Sequence, residues 1–231
     1  MKTPILGFEL ASASVCGRDH QRVGRNNQDA LAVERGARHL VLVVADGCGS
    51  SPGSEVGARL GARLVAAALL RRLEPRVEDM AAAGSLPSKP AGDAAVRGLD
   101  AALALARADV LSQLGALARG LCALPVPDHR CLAAAVREQL LFTLVGAVVG
   151  PEETVLFALG DGLLALNDRS FPLGPFPGNQ PPYLGYALLP QALHGFSPEE
   201  LQLQIHARSP THELRSLALG LGASSVVVTW K

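Results

Sequence analysis

The chain has 231 residues, a length that favours one large domain spanning 1–231 over two smaller ones. Hydrophobic residues make up 48% of it, which is enough to build a substantial buried core. Its 21 basic and 21 acidic residues cancel to a net charge of zero, so bulk charge gives no reason to expect a nucleic acid or a membrane surface as partner.

The first elements predicted along the chain are strands. Mixed alternation of apolar and polar residues indicates strands over 5–16 and 30–35, and the β-branched run 39–45 is typical of a buried strand. The N-terminal stretch is too interrupted for a signal peptide, and no apolar run reaches the roughly eighteen residues of a membrane span. We therefore expect a cytoplasmic protein with no membrane partner.

Three helices are predicted in the middle of the chain. The first begins after a loop, with Ser54 as its N-cap, and the second and third cover 93–118 and 128–139. The first helix should end near Arg72. The polar segment 74–92, which contains Pro and Gly, is predicted to be a mobile connection.

The rest of the chain is predicted to consist mainly of short strands. They cover residues 140–149, 154–159, 163–167, 201–207, 214–220 and 224–230. The turns between the first three favour consecutive antiparallel pairing, and the proline-rich segment 171–198 should be a surface loop with little regular structure. This order of elements differs from βαβ alternation, so it indicates an α+β fold in which helices pack on antiparallel sheets.

The cysteines give no sign of a disulfide framework or a zinc site. They are scattered, without a Cys-x-x-Cys pair, and the histidines do not lie at ligand spacing around them. Reduced thiols are the expected state. The four residues are Cys16, Cys48, Cys122 and Cys131.

Two aspartates stand at the ends of neighbouring predicted strands. Asp46 follows the buried strand 39–45 and precedes Gly47, while Asp29 stands at the mouth of strand 30–35. Hairpin pairing would place both carboxylates at one sheet edge, where both could reach one ion. Hard divalent cations prefer oxygen ligands, and the Gly47 carbonyl could add another. An ordinary Asp-Gly turn is the alternative reading.

Two arginines lie close to Asp29 in the sequence. The guanidinium fork of Arg22 or Arg25 suits a phosphate, and His20 is also near. A solvated loop is the alternative for these residues.

Together these motifs resemble the metal-dependent serine/threonine protein phosphatases (the PPM, or type 2C, family). More narrowly they resemble a bacterial branch that has Asn-Gln-Asp in place of Asn-Glu-Asp. The matching segments are residues 17–20, 27–30, 42–50, 54–58, 142–147 and 157–162. The resemblance covers most of the chain in the right order.

The resemblance implies a two-sheet antiparallel β-sandwich with helices on both outer faces, in four αββα layers. It also implies two Mg²⁺ or Mn²⁺ ions that activate a water for attack on phosphoserine or phosphothreonine. Asp29, Asp46 and the Gly47 carbonyl would be metal ligands, and either Arg22 or Arg25 would hold the phosphate. Some relatives carry a histidine as general acid where this chain has Cys48, so water or another residue would have to protonate the leaving group.

The resemblance fails at the C-terminal end, where it implies two further metal aspartates. The strand 214–220 is followed by Leu221-Gly222 instead of Asp-Gly, and the last strand is preceded by Ala223-Ser224. The two strands are separated by only a hairpin turn, and no carboxylate follows Glu213. Asp161 is the nearest spare carboxylate, in a turn expected to be structural. One weakly held ion, or none, is therefore expected.

Three functions remain open from the sequence. The chain could be a phosphatase acting on a phosphoprotein substrate, or a weak or inactive phosphatase-like module that binds a phosphoprotein or a kinase partner. A hydrolase of another phosphate ester is the third, because a fold does not specify a substrate. The intact N-terminal motifs favour the first, and the missing aspartates favour the second.

Overall fold

The computed structural model describes residues 8–22, 24–74, 92–122, 128–222 and 224–230. Within them the strands are β1 (Phe8–Ser14), β2 (Asp29–Arg35), β3 (Leu40–Gly47), β4 (Phe142–Val149), β5 (Glu153–Leu159), β6 (Gly162–Leu166), β7 (Arg169–Leu173), β8 (Gln204–Pro210), β9 (Ser216–Leu221) and β10 (Ser224–Trp230). The helices are α1 (Arg18–Arg22), α2 (Ser54–Leu73), α3 (Gly92–Leu121) and α4 (His129–Gln139). Short 3-10 helices cover Pro177–Asn179, Leu184–Leu188, Gln191–Leu193 and Thr211–Glu213. The predicted mobile connection lies, from residue 75 to 91, outside the described residues.

The strands form two antiparallel sheets of five strands each. Sheet A has the order β1-β10-β9-β6-β7, and sheet B has the order β2-β3-β4-β5-β8. Their inner faces pack together through buried aliphatic side chains such as Leu42, Val145, Leu219 and Val228. The predicted α+β class, with two antiparallel sheets and flanking helices, is confirmed.

The long helices pack on the outer face of sheet B. Helix α2 contacts β2 and β3, α3 packs on α2, and α4 contacts both helices. Close approach requires glycine at Gly61, where an added Cβ would lie 2.2 Å from the ring of Phe142. Among the described residues, α2, α3 and α4 thus supply one of the two helical layers that the resemblance implied, and that layer lies on sheet B.

Helix α3 contains a stretch, Gly98–Leu121, that has the length and mean hydropathy of a membrane span. Its buried positions recur at intervals of three or four residues, which is typical of a helix that packs one face on a protein core. The buried hydrophobic positions are Leu99, Ala102, Leu103, Ala106, Val110, Leu114 and Ala118.

Strand β6 does not pair with β5, so the predicted hairpin between them is wrong. The pairing of β4 with β5 is confirmed, but β6 pairs with β7 and β9 in the other sheet. Gly160 and Gly162 have φ values of +96° and +136°, which other residues rarely adopt, and they redirect the chain between the sheets. A short glycine turn can make either connection, so its length alone did not settle the pairing.

The proline-rich segment is not simply a surface loop. It begins inside β7, and its 3-10 helix Leu184–Leu188 buries Leu184 and Tyr186 against the helical side of sheet B. Tyr183 packs edge-on against Tyr186 with ring centroids 5.4 Å apart. The prolines allow only the end of the edge strand β7 and short 3-10 helices in this segment, but the apolar residues between them belong to the core.

Candidate functional site

The β2–β3 hairpin places the two predicted aspartates side by side. Asp29 and Asp46 are register partners at one end of sheet B, as the sequence predicted. Burial, followed by a hydrogen bond to Asp29 and the negative charge of Asp29, raises the pKa of Asp46 to about 8. Two negative charges are therefore unfavourable at this position unless a cation or a proton offsets them.

Hydroxyl and amide groups from β1, from β10 and from the segment just before β2 orient Asp29. Its backbone N–H donates to Asn27 Oδ1 at 3.1 Å, and Asn27 Nδ2 donates to Ser14 Oγ at 2.6 Å. Ser224 Oγ donates to Asp29 Oδ2 at 3.1 Å and lies 2.7 Å from Ser14 Oγ. This end of β1, β2 and β10 is therefore joined by side chains across the two sheets.

The β9–β10 turn lies directly against the carboxylate pair. Gly222 has a φ of +51°, and a Cβ added to it would lie 2.9 Å from both Asp29 Oδ1 and Asp46 Oδ2. This turn joins the two strands between which the resemblance implied further metal aspartates. Its close packing leaves room only for a glycine beside the carboxylates.

Gln28 anchors the loop that follows Asp46. It is 3% exposed, and its Nε2 donates to Ser51 O at 2.9 Å and to Ser54 Oγ at 2.8 Å. Its backbone carbonyl accepts the Gly47 N–H at 3.1 Å, while Ser54 Oγ donates to Cys48 O at 2.9 Å. Sequence reasoning treated Gln28 only as a member of the motif, although its position between Asn27 and Asp29 was the available signal.

The structure brings one of the two predicted arginines to this loop. Arg25 is exposed and its Nη1 donates to Gly49 O at 2.6 Å, three residues beyond Asp46. Arg22 is exposed at the end of α1. The side chain of His20 lies outside the described residues.

A cavity of about 620 Å³ opens beside the loop. Cys48, Tyr183, Tyr186, Gln180 and Arg137 contribute to its lining. Burial would raise the pKa of the Cys48 thiol, but hydrogen bonds from the hydroxyls of Ser50, Tyr183 and Ser51 lower it below its usual value. Sequence reasoning missed Tyr183 because it lies in the segment interpreted as a surface loop.

The third carboxylate near the pair acts through its charge. Asp161, in the turn between β5 and β6, contributes to the raised pKa of Asp46. Within the part of the chain that the structure describes, no group of three Asp, Glu, His or Cys side chains is placed to hold one metal ion. The available donors, which are the carboxylates of Asp29 and Asp46 and the Gly47 carbonyl, fit one hard divalent cation. They do not fit two adjacent dications, because two carboxylates offset too little of the mutual repulsion.

Comparisons with known proteins agree with this fold. A family model described as protein phosphatase 2C matches residues 16–174, more than half of the chain. The structure resembles serine-threonine phosphatase 2C from Toxoplasma gondii, with a TM-score of 0.58 and 14% identity over 100% of this chain and 97% of that one. It also resembles the serine/threonine phosphatase Stp1 from Staphylococcus aureus, with a TM-score of 0.51 and 13% identity over 100% and 97%.

The catalytic domain of the serine threonine protein phosphatase PstP, solved in complex with two manganese ions, matches with a TM-score of 0.44. Its identity is 15%, over 96% of this chain and 98% of that one. A comparison with curated proteins finds no match.

Proposed function

Because the chain belongs to the protein phosphatase 2C family, we propose that it is a metal-dependent protein-serine/threonine phosphatase with a single-cation centre. The observation that supports this most strongly is the register pairing of Asp29 with Asp46 at one sheet edge. Two convergent carboxylates beside the Gly47 carbonyl suit Mg²⁺ or Mn²⁺. Assignment to the Asn-Gln-Asp branch stays a prediction.

The residues around the pair have separable roles in this proposal. A divalent cation held by Asp29 and Asp46 would polarise a phosphate oxygen and lower the pKa of a bound water. Ser224 orients the Asp29 carboxylate through its hydroxyl, and Gln28 holds the loop that begins at Cys48. Arg25 would exchange its contact with Gly49 O for the phosphate, because a guanidinium prefers an anion to a neutral carbonyl.

The proposed substrate is a phosphoprotein in the cytoplasm. The cavity beside Cys48 offers room for the polypeptide that flanks a phosphoserine or phosphothreonine. Its volume falls in the range of ordinary ligand sites, about 300–1,000 Å³. Arg22, exposed at the end of α1, is a second candidate for phosphate contact.

A second candidate function is a phosphatase-like module that binds a phosphoprotein or a kinase without turnover. The β9–β10 turn favours it, because Gly222 and Ser224 stand where the resemblance implied carboxylates. With only two anionic ligands, a bound cation would be weakly held.

One pair of measurements separates these candidates. Loss of a residue that only supports a metal ligand typically lowers activity roughly 10- to 100-fold. The rate of manganese-dependent hydrolysis of a phosphoserine peptide should fall by more than this in Asp46→Asn, because a ligand itself is changed. The exposed Asp168, which pairs with Arg215, provides the matched control Asp168→Asn, and its rate should stay at the wild-type level.

Calorimetric titration with Mn²⁺ supplies the second measurement. One bound ion per chain together with turnover supports the phosphatase. If one ion or none binds and turnover does not exceed the Asp46→Asn rate, the phosphatase proposal is wrong and the binding module is supported. Two bound ions would contradict the single-cation centre.

A further inference from the structure

The outer face of sheet A is not covered by any described helix. In each strand of this sheet, alternate side chains pack inward against sheet B, and the others point away from the sandwich. The helices α2, α3 and α4 belong to the layer on sheet B. Val227 in β10 and Leu163 in β6 therefore stay 40% and 45% exposed, although both are apolar and neither lies on an edge strand.

The outward side chains form two rows that cross all five strands. The strand register aligns in the first row Ala11, Val227, Ala218, Ala165 and Ser170. It aligns in the second row Ala13, Ser225, Gly220, Leu163 and Pro172. Every one of these positions is exposed or partly exposed, and none carries a charge. A polar row along one side forms the border of this face, with Glu9, Thr229 and Ser216.

The two rows are self-complementary in size about β9, the central strand of the sheet. In the first row the large Val227 lies on one side of β9 and the small Ala165 on the other. In the second row the order is reversed, with the small Ser225 on the first side and the large Leu163 on the other. A two-fold axis along β9 would therefore set each large side chain of one copy against a small one of the second copy.

We propose that two copies of this chain pair through the outer face of sheet A, with β9 on the two-fold axis. Such an interface is isologous, so Val227 of each copy contacts Ala165 of the other, and Leu163 contacts Ser225. Two twisted sheets pack in this way with their strands about 30° apart. The net charge of zero leaves no bulk repulsion between the copies. This inference does not depend on phosphatase activity.

The area of the face sets the strength of the pairing. Strands lie about 4.8 Å apart and outward side chains recur about every 6.7 Å, so each covers about 32 Å² of the face. The two rows and their border then present about 420 Å² per copy in projection, and two copies bury at least about 800 Å². A stable specific interface buries about 1,000 Å² or more. We therefore expect a weak, reversible dimer that forms as the concentration rises.

Sedimentation velocity over a series of concentrations tests the pairing. The mean mass of the full-length protein should rise from the 24.0 kDa of one chain towards twice that value as the concentration increases from micromolar to millimolar. Dilution should reverse the change. A mass that stays at that of one chain into the millimolar range would overturn the proposal.

A charge placed on the axis tests whether this face is the interface. Ala218 would face its own copy, so Ala218→Asp sets two carboxylates against each other and should keep the protein monomeric. Leu105 in α3 is 51% exposed and lies in the helical layer on sheet B, so Leu105→Asp is the matched control and should dimerise like the wild type. Thermal unfolding of both variants shows that they are folded. Equal association of the two variants would contradict the assignment to sheet A.

Exchanging a large and a small residue tests the position of the axis. Val227→Ala removes apolar contact from both copies and should weaken association about tenfold. Ala165→Val sets two valines against each other and should also weaken it, because the contact is overpacked. The double variant Val227→Ala/Ala165→Val again sets valine against alanine, so most of the lost affinity should return. Stronger association of Ala165→Val, unchanged association of the single variants, or no recovery in the double variant would rule out the axis along β9.

Discussion

Replacing Gly222 by alanine tests whether the β9–β10 turn really presses on the carboxylate pair. The new methyl group would lie 2.9 Å from Asp29 Oδ1 and from Asp46 Oδ2, well inside van der Waals contact. The two residues are register partners in the β2–β3 hairpin, so their carboxylates share the space beside Gly222. Gly222→Ala should therefore disturb the site as well as the backbone.

The magnitude separates into a backbone part and a contact part. A left-handed φ costs a non-glycine residue about 1–2 kcal/mol, and the stiffer unfolded chain returns about 0.4–1 kcal/mol. Overpacking adds about 1–3 kcal/mol, and the lower end applies because the ends of short side chains are displaced instead of the backbone. We expect a total loss of roughly 2 kcal/mol for Gly222→Ala. Gly178 has a φ of +63° with nothing within 4 Å of an added Cβ, so Gly178→Ala should lose only the backbone part, about 0.5–1 kcal/mol.

Urea unfolding of the two variants measures this difference. Calorimetric titration with Mn²⁺ measures its effect on the site. If the contact part of about 1 kcal/mol acts on the cation site, Mn²⁺ should bind roughly fivefold more weakly to Gly222→Ala than to the wild type. Gly178→Ala should bind Mn²⁺ with the wild-type affinity. Equal destabilisation of the two variants, with equal Mn²⁺ affinity, would refute the packing of Gly222 on the carboxylates.

Substitutions at two further places test other contacts of the fold. Burial lowers the pKa of His39 below its usual 6.5. Burial alone would raise the pKa of Glu74, but hydrogen bonds from the backbone N–H groups of residues 38 and 39 outweigh it and lower that pKa below 4.5. Because both pKa values are lower in the folded protein, both groups make the fold less stable in acid. Urea unfolding at a series of pH values measures both effects. His39→Gln should reduce the loss of stability that begins as the pH falls below about 6.5, and Glu74→Gln should reduce the loss that begins below about 4.5. Unchanged dependence of stability on pH in either variant would contradict this. The second place is Gly61 in α2, where an added Cβ would lie 2.2 Å from the Phe142 ring. In thermal unfolding, overpacking in Gly61→Ala should cost about 1–3 kcal/mol, and the better helix propensity of alanine should return about 1 kcal/mol of this. Gly98→Ala in α3, with nothing within 4 Å, should show that gain alone, and shifts of the same sign in both variants would be evidence against the close packing of α2.

Much of the framework was predictable because it depends on neighbouring residues. The β2–β3 hairpin and its alignment of Asp29 with Asp46 follow from two short apolar runs and the residues that bound them. The start of α2 next to Ser54 follows from a polar residue before a helical pattern, but the predicted N-cap is wrong by one residue: Gly53 is the N-cap, and the Ser54 hydroxyl donates to Cys48 O instead of capping the helix. A strand alternates with a period of two and a helix repeats near 3.6, so a dozen residues reveal either one.

Partner strands beyond the next turn were less predictable. The glycines around Asp161 mark a turn between β5 and β6, and the sequence predicted that these two strands pair. In the structure β6 pairs with β9 in the other sheet. Local sequence shows that the chain turns but not which surface it meets afterwards. The burial of Tyr183 in a proline-rich segment has the same cause, because prolines report local conformation and not depth.

The sequence by itself determined that the segment joining the last two strands, Leu221 to Ser224, contains no carboxylate. Only the tertiary structure decided what stands beside Asp29 and Asp46, namely the glycine of the β9–β10 turn and the hydroxyl of Ser224. Such contacts depend on how separate elements pack, and that packing is a balance of burial and backbone geometry over the whole domain. Residues that meet in this way have no fixed spacing along the chain, so no local sequence pattern predicts the contact.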